Sequence, residues 1–570
     1  NYANNRQTGV YAMLLTPSAE NPFAPRNQEG LPEKESDDSE KKPDAGAPKV
    51  EIEFDGLASR VARAPIDFDN LGGLSVTAEH LLFVGGPAFF YGRDIEPGTQ
   101  LRAYSFEERE VFNIADKVDG YALATGANQV VVIQEGALNR FDIKKDEQQA
   151  KKVDLDSLTA RRVRAAEYEQ IFDEVWRRFR DHFYVENMHG YDWDALRDRY
   201  RPLLRHVAHR ADLNYLIGEM IAELNVGHAY IAGGDIAATE RSSDALLGAT
   251  FELDQAAGLY RIAGIYAGQN EEDKYRSPLT EPGIAAKAGD YVLAIDGRPL
   301  TADTNPYALL KGRGGRLLEL TLADNARGKD RRTILVNPIA SENDLLYLRW
   351  VAENRARVTR ETDGKVGYLH IPDMGAAGIY EFTKWFYGQV RKQGLIIDVR
   401  GNGGGNVSQM VINRLARDLV FMGYDRGIDN LDTYPNVVFT GPLVALLDED
   451  SASDGDIFPG AFKAMNLGPL IGKRSWGGII GITNLGPLMD GGSVFVPQFA
   501  TASADGQWAI EGVGVEPDIE VDNPPEAVLR GEDPQLERAI REAMQRLRTQ
   551  PGTLPPRPAD PVKTPGSGTR

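Results

Sequence analysis

Two short and almost wholly apolar runs, residues 394–399 and 442–447, restrict the architecture of this chain more than any other feature. A strand with one wet face alternates apolar and polar side chains. Runs this apolar belong to strands covered on both faces, as in a parallel sheet flanked by helices. The first run passes through Asp398-Val399-Arg400 into Gly401-Asn402-Gly403-Gly404-Gly405, and the second into Asp448-Glu449-Asp450-Ser451-Ala452-Ser453-Asp454-Gly455-Asp456. With a further strand expected at 366–371 and helices at 376–392 and 407–419, residues 365–521 read as an α/β unit. In such a sheet, adjacent strand-to-helix turns bring backbone N–H groups and hydroxyls together.

At 570 residues the chain is long enough for several domains, and its periodicity changes repeatedly before the α/β unit. Residues 10–15, 50–54, 81–84, 101–106, 121–125, 130–134 and 140–143 read as short strands between Gly, Asn and Asp turns, so residues 1–157 are all-β. A propeller blade takes about 40–50 residues and closure needs at least about four blades. The segment therefore reads as part of a β-propeller, and the chain as the C-terminal portion of a longer protein. Residues 29–49 are charged with almost nothing to bury and read as a mobile loop.

From residue 158 the spacing of Phe172, Trp176, Phe179 and Phe183 is helical. Asp192 or Asp194 is placed to cap a second helix through Tyr200, and a third spans 212–224. This helical module, residues 158–240, contains the segment Asn225-Val226-Gly227-His228-Ala229-Tyr230. Residues 241–340 return to strands and resemble a PDZ domain, with turns at Gly283 and Gly289-Asp290 and a hairpin closed by Asp296-Gly297. That resemblance implies peptide binding by strand addition at an edge near 246–251. An α/β region over 341–530, a helix over 531–550 and a disordered tail rich in Pro, Gly and Thr over 551–570 complete a multidomain α+β chain.

Composition narrows the chemistry. With 64 Lys and Arg against 84 Asp and Glu the net charge is -20, and no basic run offsets it, which opposes nucleic acid and anionic membranes as partners. The absence of cysteine removes disulfides, thiolate metal sites and Cys nucleophiles, and favours the periplasm or cell envelope over the cytoplasm. No stretch approaches the roughly 18–20 apolar residues of a membrane helix. Residues 1–6 do not read as a signal peptide, so a soluble chain is expected. His206, His209 and Asp212 have helical spacing, but Arg201, Arg205 and Arg210 beside them repel a cation; no metal or cofactor is expected. His80, His182, His189 and His370 read as surface or packed residues.

The glycine run alone is compatible with phosphate binding. However, G-x-x-x-x-G-K-[ST] is absent, and Asn406 stands where G-x-G-x-x-G needs its last glycine. A serine at the first turn of a helix is ordinarily an N-cap. Side by side, though, the two loops offer what acyl transfer requires, a hydroxyl and paired amides around one carbonyl. The D-x-R-G-N-G-G-G loop at 398–405, the S-A-S-D-G-D-I-F turn at 451–458, Gly472-Lys473-Arg474-Ser475-Trp476-Gly477-Gly478, and the segment 510–518 from Ile510 to Asp518 together resemble the tricorn protease family, relatives of the C-terminal processing peptidases.

The resemblance implies a serine endopeptidase acting on peptides, with Ser453 as nucleophile, His228 as general base and Glu511 as the acid that orients it. It implies an oxyanion hole from the N–H groups of Gly405 and Asp454. Asp425 is implied as the acidic residue that selects Lys or Arg before the scissile bond, contributed to a neighbouring subunit of a homo-oligomer, hexameric in that family. One departure is Gly227, which stands where the archaeal members have a serine that relays between histidine and glutamate. The lysine of the processing peptidases has no counterpart in the 476–479 turn, and Lys473 lies upstream of it. Two alternatives stay open: a crotonase-like CoA thioester enzyme, since the α/β core also resembles that fold, and a catalytically silent peptide-binding scaffold.

Overall fold

The computed structural model describes residues 6–24, 50–87, 98–124, 128–146, 149–159, 161–239 and 242–564, so the loop expected at 29–49 and residues 565–570 of the tail lie outside the described residues. The chain forms two compact units, Asn1–Arg161 and Arg162–Arg570. In the first, Asn70–Val76, His80–Gly86, Gln100–Ser105 and Val111–Asp116 make one four-stranded antiparallel meander, and Gly120–Leu123, Gln129–Gln134, Ala137–Asp142 and Lys151–Lys152 make another. Leu82, Leu101, Phe112, Val130, Val132 and Phe141 bury their side chains in one cluster. No strand forms at 50–54, where Val50, Ile52 and Phe54 are exposed; Tyr11–Met13 pairs with Val61–Arg63 instead.

In the second unit the helical stripe is borne out: Phe172, Trp176 and Phe179 line the helix Arg164–His182 and are buried. Asp192 caps the helix Trp193–Tyr200, its carboxylate accepting the Ala195 N–H at 2.9 Å. The third helix, Arg210–Ala222, starts before the expected Asp212 because His209 and Asp212 cap it reciprocally, at 3.3 and 3.2 Å. The core of these helices is completed by Leu488, Val494 and Val496. These belong to a hairpin, Gly481–Asn484 and Ser493–Phe499, whose second strand pairs with Tyr230–Ala232. The fully buried Arg210 guanidinium meets Asp490 of the hairpin turn at 2.5 Å.

An antiparallel sheet of Ala249–Asp254, Leu259–Ile265, Tyr291–Ile295, Leu318–Ala323 and Arg332–Val336 follows, with Ala249–Asp254 at its edge. Arg298–Pro299 folds back on Tyr291–Ile295 through Asp296 and Gly297, both at positive φ. Beyond it lie five parallel strands in the order Val366–His370, Gly394–Asp398, Leu443–Leu447, Leu470–Gly472, Ile519–Glu520. Alternate side chains Val366, Tyr368, Ile396, Val444 and Leu446 pack against Val351 and Val358 of the helix Asn343–Glu361 and Leu536, Ala539 and Ile540 of Pro534–Leu547. The helix Ser408–Leu415 ends earlier than expected, and a hairpin, Phe421–Asp425 with Ile428–Tyr434, follows it. Residues 551–564 carry no helix or strand, and the Pro556 carbonyl accepts the Tyr424 hydroxyl at 3.3 Å. Among the described residues no helix is long and apolar enough to cross a membrane.

Candidate active site

The two loops singled out above leave neighbouring parallel strands, Gly394–Asp398 and Leu443–Leu447, and are laced together. The Ala452 N–H donates to the Asn402 carbonyl at 2.8 Å, the Gly401 N–H to Asp448 at 2.8 Å, and the Ser451 hydroxyl to the Val399 carbonyl at 2.9 Å. Beneath them the buried Arg400 bridges Asp398, at 2.7 Å, and Asp533, at 2.9 Å, which caps the helix Pro534–Leu547. Burial opposes the guanidinium charge, but the two carboxylates hold the Arg400 pKa well above its ordinary value.

Ser453 stands at the N-cap of the helix Asp454–Ala464 with φ 59° and ψ -122°, a conformation that non-glycine residues rarely hold without a tertiary reason. The glycine run supplies that reason by close approach. A Cβ on Gly404 would lie 2.5 Å from Ser453 Cβ and 3.0 Å from the Asp454 nitrogen, and one on Gly405 would lie 2.0 Å from the Met374 carbonyl. Among the described residues neither the Gly405 nor the Asp454 N–H has an acceptor. The Asp454 carboxylate is turned the other way, accepting the Ser408 N–H at 2.9 Å and the Ser408 hydroxyl.

His228 follows the helix Arg210–Ala222 and precedes the strand Tyr230–Ala232, so its position is set by the pairing of that strand with Ser493–Phe499. Its ring meets Trp476 edge-on, centroids 5.3 Å apart, and its Nδ1 is buried with no hydrogen-bond partner among the described residues. Burial pushes the imidazole pKa below its ordinary value, while the negative charges of Glu511 and Asp456 oppose the shift. No hydrogen bond joins His228 to Ser453 or to Glu511. Glu511 is held by backbone: Oε1 accepts the Gly227 N–H at 2.9 Å, and Oε2 accepts those of Ile479 at 2.7 Å and Ile480 at 3.1 Å.

Asp456, which the sequence reading passed over, ties these parts together. Its buried carboxylate accepts the Ser453 N–H at 2.8 Å and the N–H groups of Gly477 and Gly478 at 2.8 and 3.3 Å. Desolvation raises its pKa, and those hydrogen bonds oppose the rise. The spacing Ser453-x-x-Asp456 is a helix-capping signature and was the signal that could have found it.

Other candidates fall elsewhere. Asp425 is exposed at the end of its strand, its carboxylate accepting the Gly427 N–H at 3.1 Å. Lys473 pairs at the surface with Glu520 at 2.9 Å. His206 accepts from Arg205 at 3.0 Å, and His209 is a helix cap. Of the histidines expected to be surface or packed, His370 is buried between Tyr347 and the Arg400 carbonyl, whereas His182 is exposed.

Comparison with known proteins matches three parts of the chain. Residues 365–521 match peptidase family S41, residues 164–222 the tricorn protease C1 domain, and residues 245–341 the tricorn protease PDZ domain. Tricorn protease homolog 1 of Streptomyces coelicolor is 35% identical over 561 residues, 96% of this chain and 52% of the relative. The tricorn protease of Thermoplasma acidophilum is 33% identical over 476 residues, 83% of this chain and 43% of the relative. A crystal structure of tricorn protease superposes with a TM-score of 0.81 at 29% identity, covering 94% of this chain and 51% of that one. The chain spans about half the length of these relatives. With the C1, PDZ and S41 peptidase parts present in order, the chain belongs to the tricorn protease family.

Proposed function

We propose that this chain carries the catalytic part of a tricorn-type serine endopeptidase, with Ser453 as nucleophile. The observation that carries this reading is the left-handed backbone of Ser453 beside two N–H groups, of Gly405 and Asp454, that have no acceptor among the described residues. Ser453 Oγ attacks the peptide carbonyl while His228 takes its proton, and the two amides bind the oxyanion. Collapse expels the amine, protonated by His228, and leaves an acyl-enzyme; water then repeats the sequence with the same base. Burial lowers the imidazole pKa and so favours the neutral form that a base requires. Glu511 acts without touching the ring: its charge favours the imidazolium that forms, and its bonds to Gly227, Ile479 and Ile480 fix the surrounding backbone. In this reading apo geometry leaves the Ser453–His228 hydrogen bond to form with substrate.

The finer family features are part of the same proposal. The two four-stranded meanders are blades of a β-propeller, the five-stranded parallel unit is a crotonase-like sheet, and the working enzyme is a homo-oligomer, hexameric as in the family, acting on peptides. The exposed Asp425 supports a role in a neighbouring subunit's pocket, where it would select Lys or Arg.

Labelling with a fluorophosphonate probe tests the assignment. The modified peptide should contain Ser453, and both labelling and hydrolysis of a fluorogenic basic peptide should vanish in Ser453→Ala. Saturable acyl-CoA binding without labelling would favour the thioester enzyme instead, and neither labelling nor hydrolysis would favour a peptide-binding scaffold.

A further inference from the structure

Away from Ser453, a cleft of about 550 Å³ opens between the end of the PDZ sheet and the helices Asn343–Glu361 and Ala376–Gln389. That volume lies within the roughly 300–1,000 Å³ of small-molecule sites. Its walls are mainly apolar, from Ile265, Tyr266, Leu348, Val351, Ala352 and Trp385. One cation, Arg355, lines it without an anionic partner. The guanidinium lies over the Trp385 ring, 3.3 Å from its centroid, and among the described residues its one hydrogen bond is a long one from Nε to the Tyr368 carbonyl at 3.4 Å. Nη2 is buried with no hydrogen-bond partner among the described residues.

The other charges around the cleft are already engaged. Arg349 pairs with Glu353 at 2.7 Å. Glu381 accepts the Tyr275 hydroxyl at 3.1 Å and the Trp385 indole N–H at 3.0 Å, and makes no ion pair with Arg355. Burial pulls the Arg355 pKa down, with the negative groups nearby only opposing it. A half-buried guanidinium without a carboxylate leaves its charge poorly compensated. The planar fork of an arginine matches a carboxylate.

We propose that this cleft binds an apolar carboxylate, the C-terminal residue of a short peptide or a fatty acid, with its carboxylate on Arg355 and its hydrocarbon part against Tyr266, Leu348 and Trp385. Thr250 of the edge strand lines the cleft, but Phe251 and Tyr307, whose rings meet at 6.0 Å beside that strand, do not. With a net charge of -20 the chain as a whole disfavours anions, so a carboxylate held here is held by local contacts. The proposal stands whether or not Ser453 is a nucleophile.

Calorimetric titration of the full chain carrying Ser453→Ala, so that peptides are not consumed, tests it with three probes: N-acetyl-Ala-Leu as the free acid, the same peptide as its C-terminal amide, and octanoate. Saturable binding of the acid, at least tenfold tighter than the amide and weakened at least tenfold by Arg355→Gln, is the expected result. If octanoate binds as tightly as the peptide acid, the site serves fatty acids; if more weakly, peptide C-termini. Should Arg355→Gln fail to fold, Leu348→Trp, which fills the cleft and leaves the guanidinium in place, must abolish binding. Equal affinity for acid and amide, binding unchanged by both substitutions, or no saturable binding of any probe overturns the assignment.

Discussion

Gly227→Ser would install a hydroxyl next to His228, and the surroundings of Gly227 determine the outcome. A Cβ there would sit 2.9 Å from Gly478 Cα and 3.2 Å from Trp476 Cη2. A relaxed carbon–carbon contact needs about 3.5–4.0 Å. The backbone neighbour is not free to retreat, since the Gly478 N–H is bound by Asp456 at 3.3 Å, whereas the Trp476 ring is partly exposed and can turn aside. Overpacking against backbone typically costs about 1–3 kcal/mol. The new hydroxyl has one compensating partner, because Glu511 Oε1 lies 3.4 Å from the same Cβ position, and such a hydrogen bond returns about 0.5–1.5 kcal/mol. A net loss of about 1 kcal/mol is therefore expected. The midpoint of thermal unfolding should fall by roughly 2 °C or less in a unit of this size. Because the displaced loop also contacts Asp456 and the imidazole, kcat should fall as well. Scanning calorimetry and hydrolysis of a fluorogenic peptide by the same preparation measure both. A serine variant that melts no lower and turns over faster would refute the reasoning, showing that the loop yields and that a relay hydroxyl is useful here.

Further expectations follow from the same geometry. His228→Ala should remove essentially all hydrolysis while leaving the melting profile near that of the unaltered chain; retained turnover would exclude it as the base. Since a general base must be neutral, and burial depresses the His228 pKa, the acid limb of kcat/KM should lie below the ordinary imidazole value of about 6.5. Glu511→Gln removes a charge that favours the imidazolium, so it should move that limb lower still and reduce kcat with little change in KM; a limb moving upward would contradict the sign. Gly404→Ala should abolish activity, because its Cβ would overlap Ser453 at a φ of 97°; near-normal rates would show that the glycine loop does not abut the nucleophile. Arg210→Met leaves Asp490 buried without its cation and should destabilise the helical module by about 3–5 kcal/mol, read as an early melting transition.

The parts of the site that could be read from sequence were those carried by local pattern. Near-continuous apolar runs placed Gly394–Asp398 and Leu443–Leu447 in a covered parallel sheet, and the turn residues after them placed both loops at one end of it. The stripe of Phe172, Trp176 and Phe179 likewise announced its helix. What escaped depends on distant partners. Val50, Ile52 and Phe54 have strand-like alternation but no face to cover them. Nothing in residues 481–499 says that Leu488, Val494 and Val496 complete the core of helices some hundreds of positions earlier in the chain. The service of Asp456 to both Ser453 and the Gly477-Gly478 amides is invisible until the loops are folded together. The pairing of Glu511 with the Gly227 amide is likewise a product of close approach, for which a glycine in the sequence gives no direction.

The hairpin that closes over the helical module has a consequence for biosynthesis. On a ribosome the arm bearing the histidine emerges first and has an unfinished core until Leu488, Val494 and Val496 arrive, which is after the serine turn has already been made. The position of His228 is therefore set late, when the strand that follows it pairs with the hairpin. For the proposed enzyme, a chain truncated before the hairpin should therefore be inert.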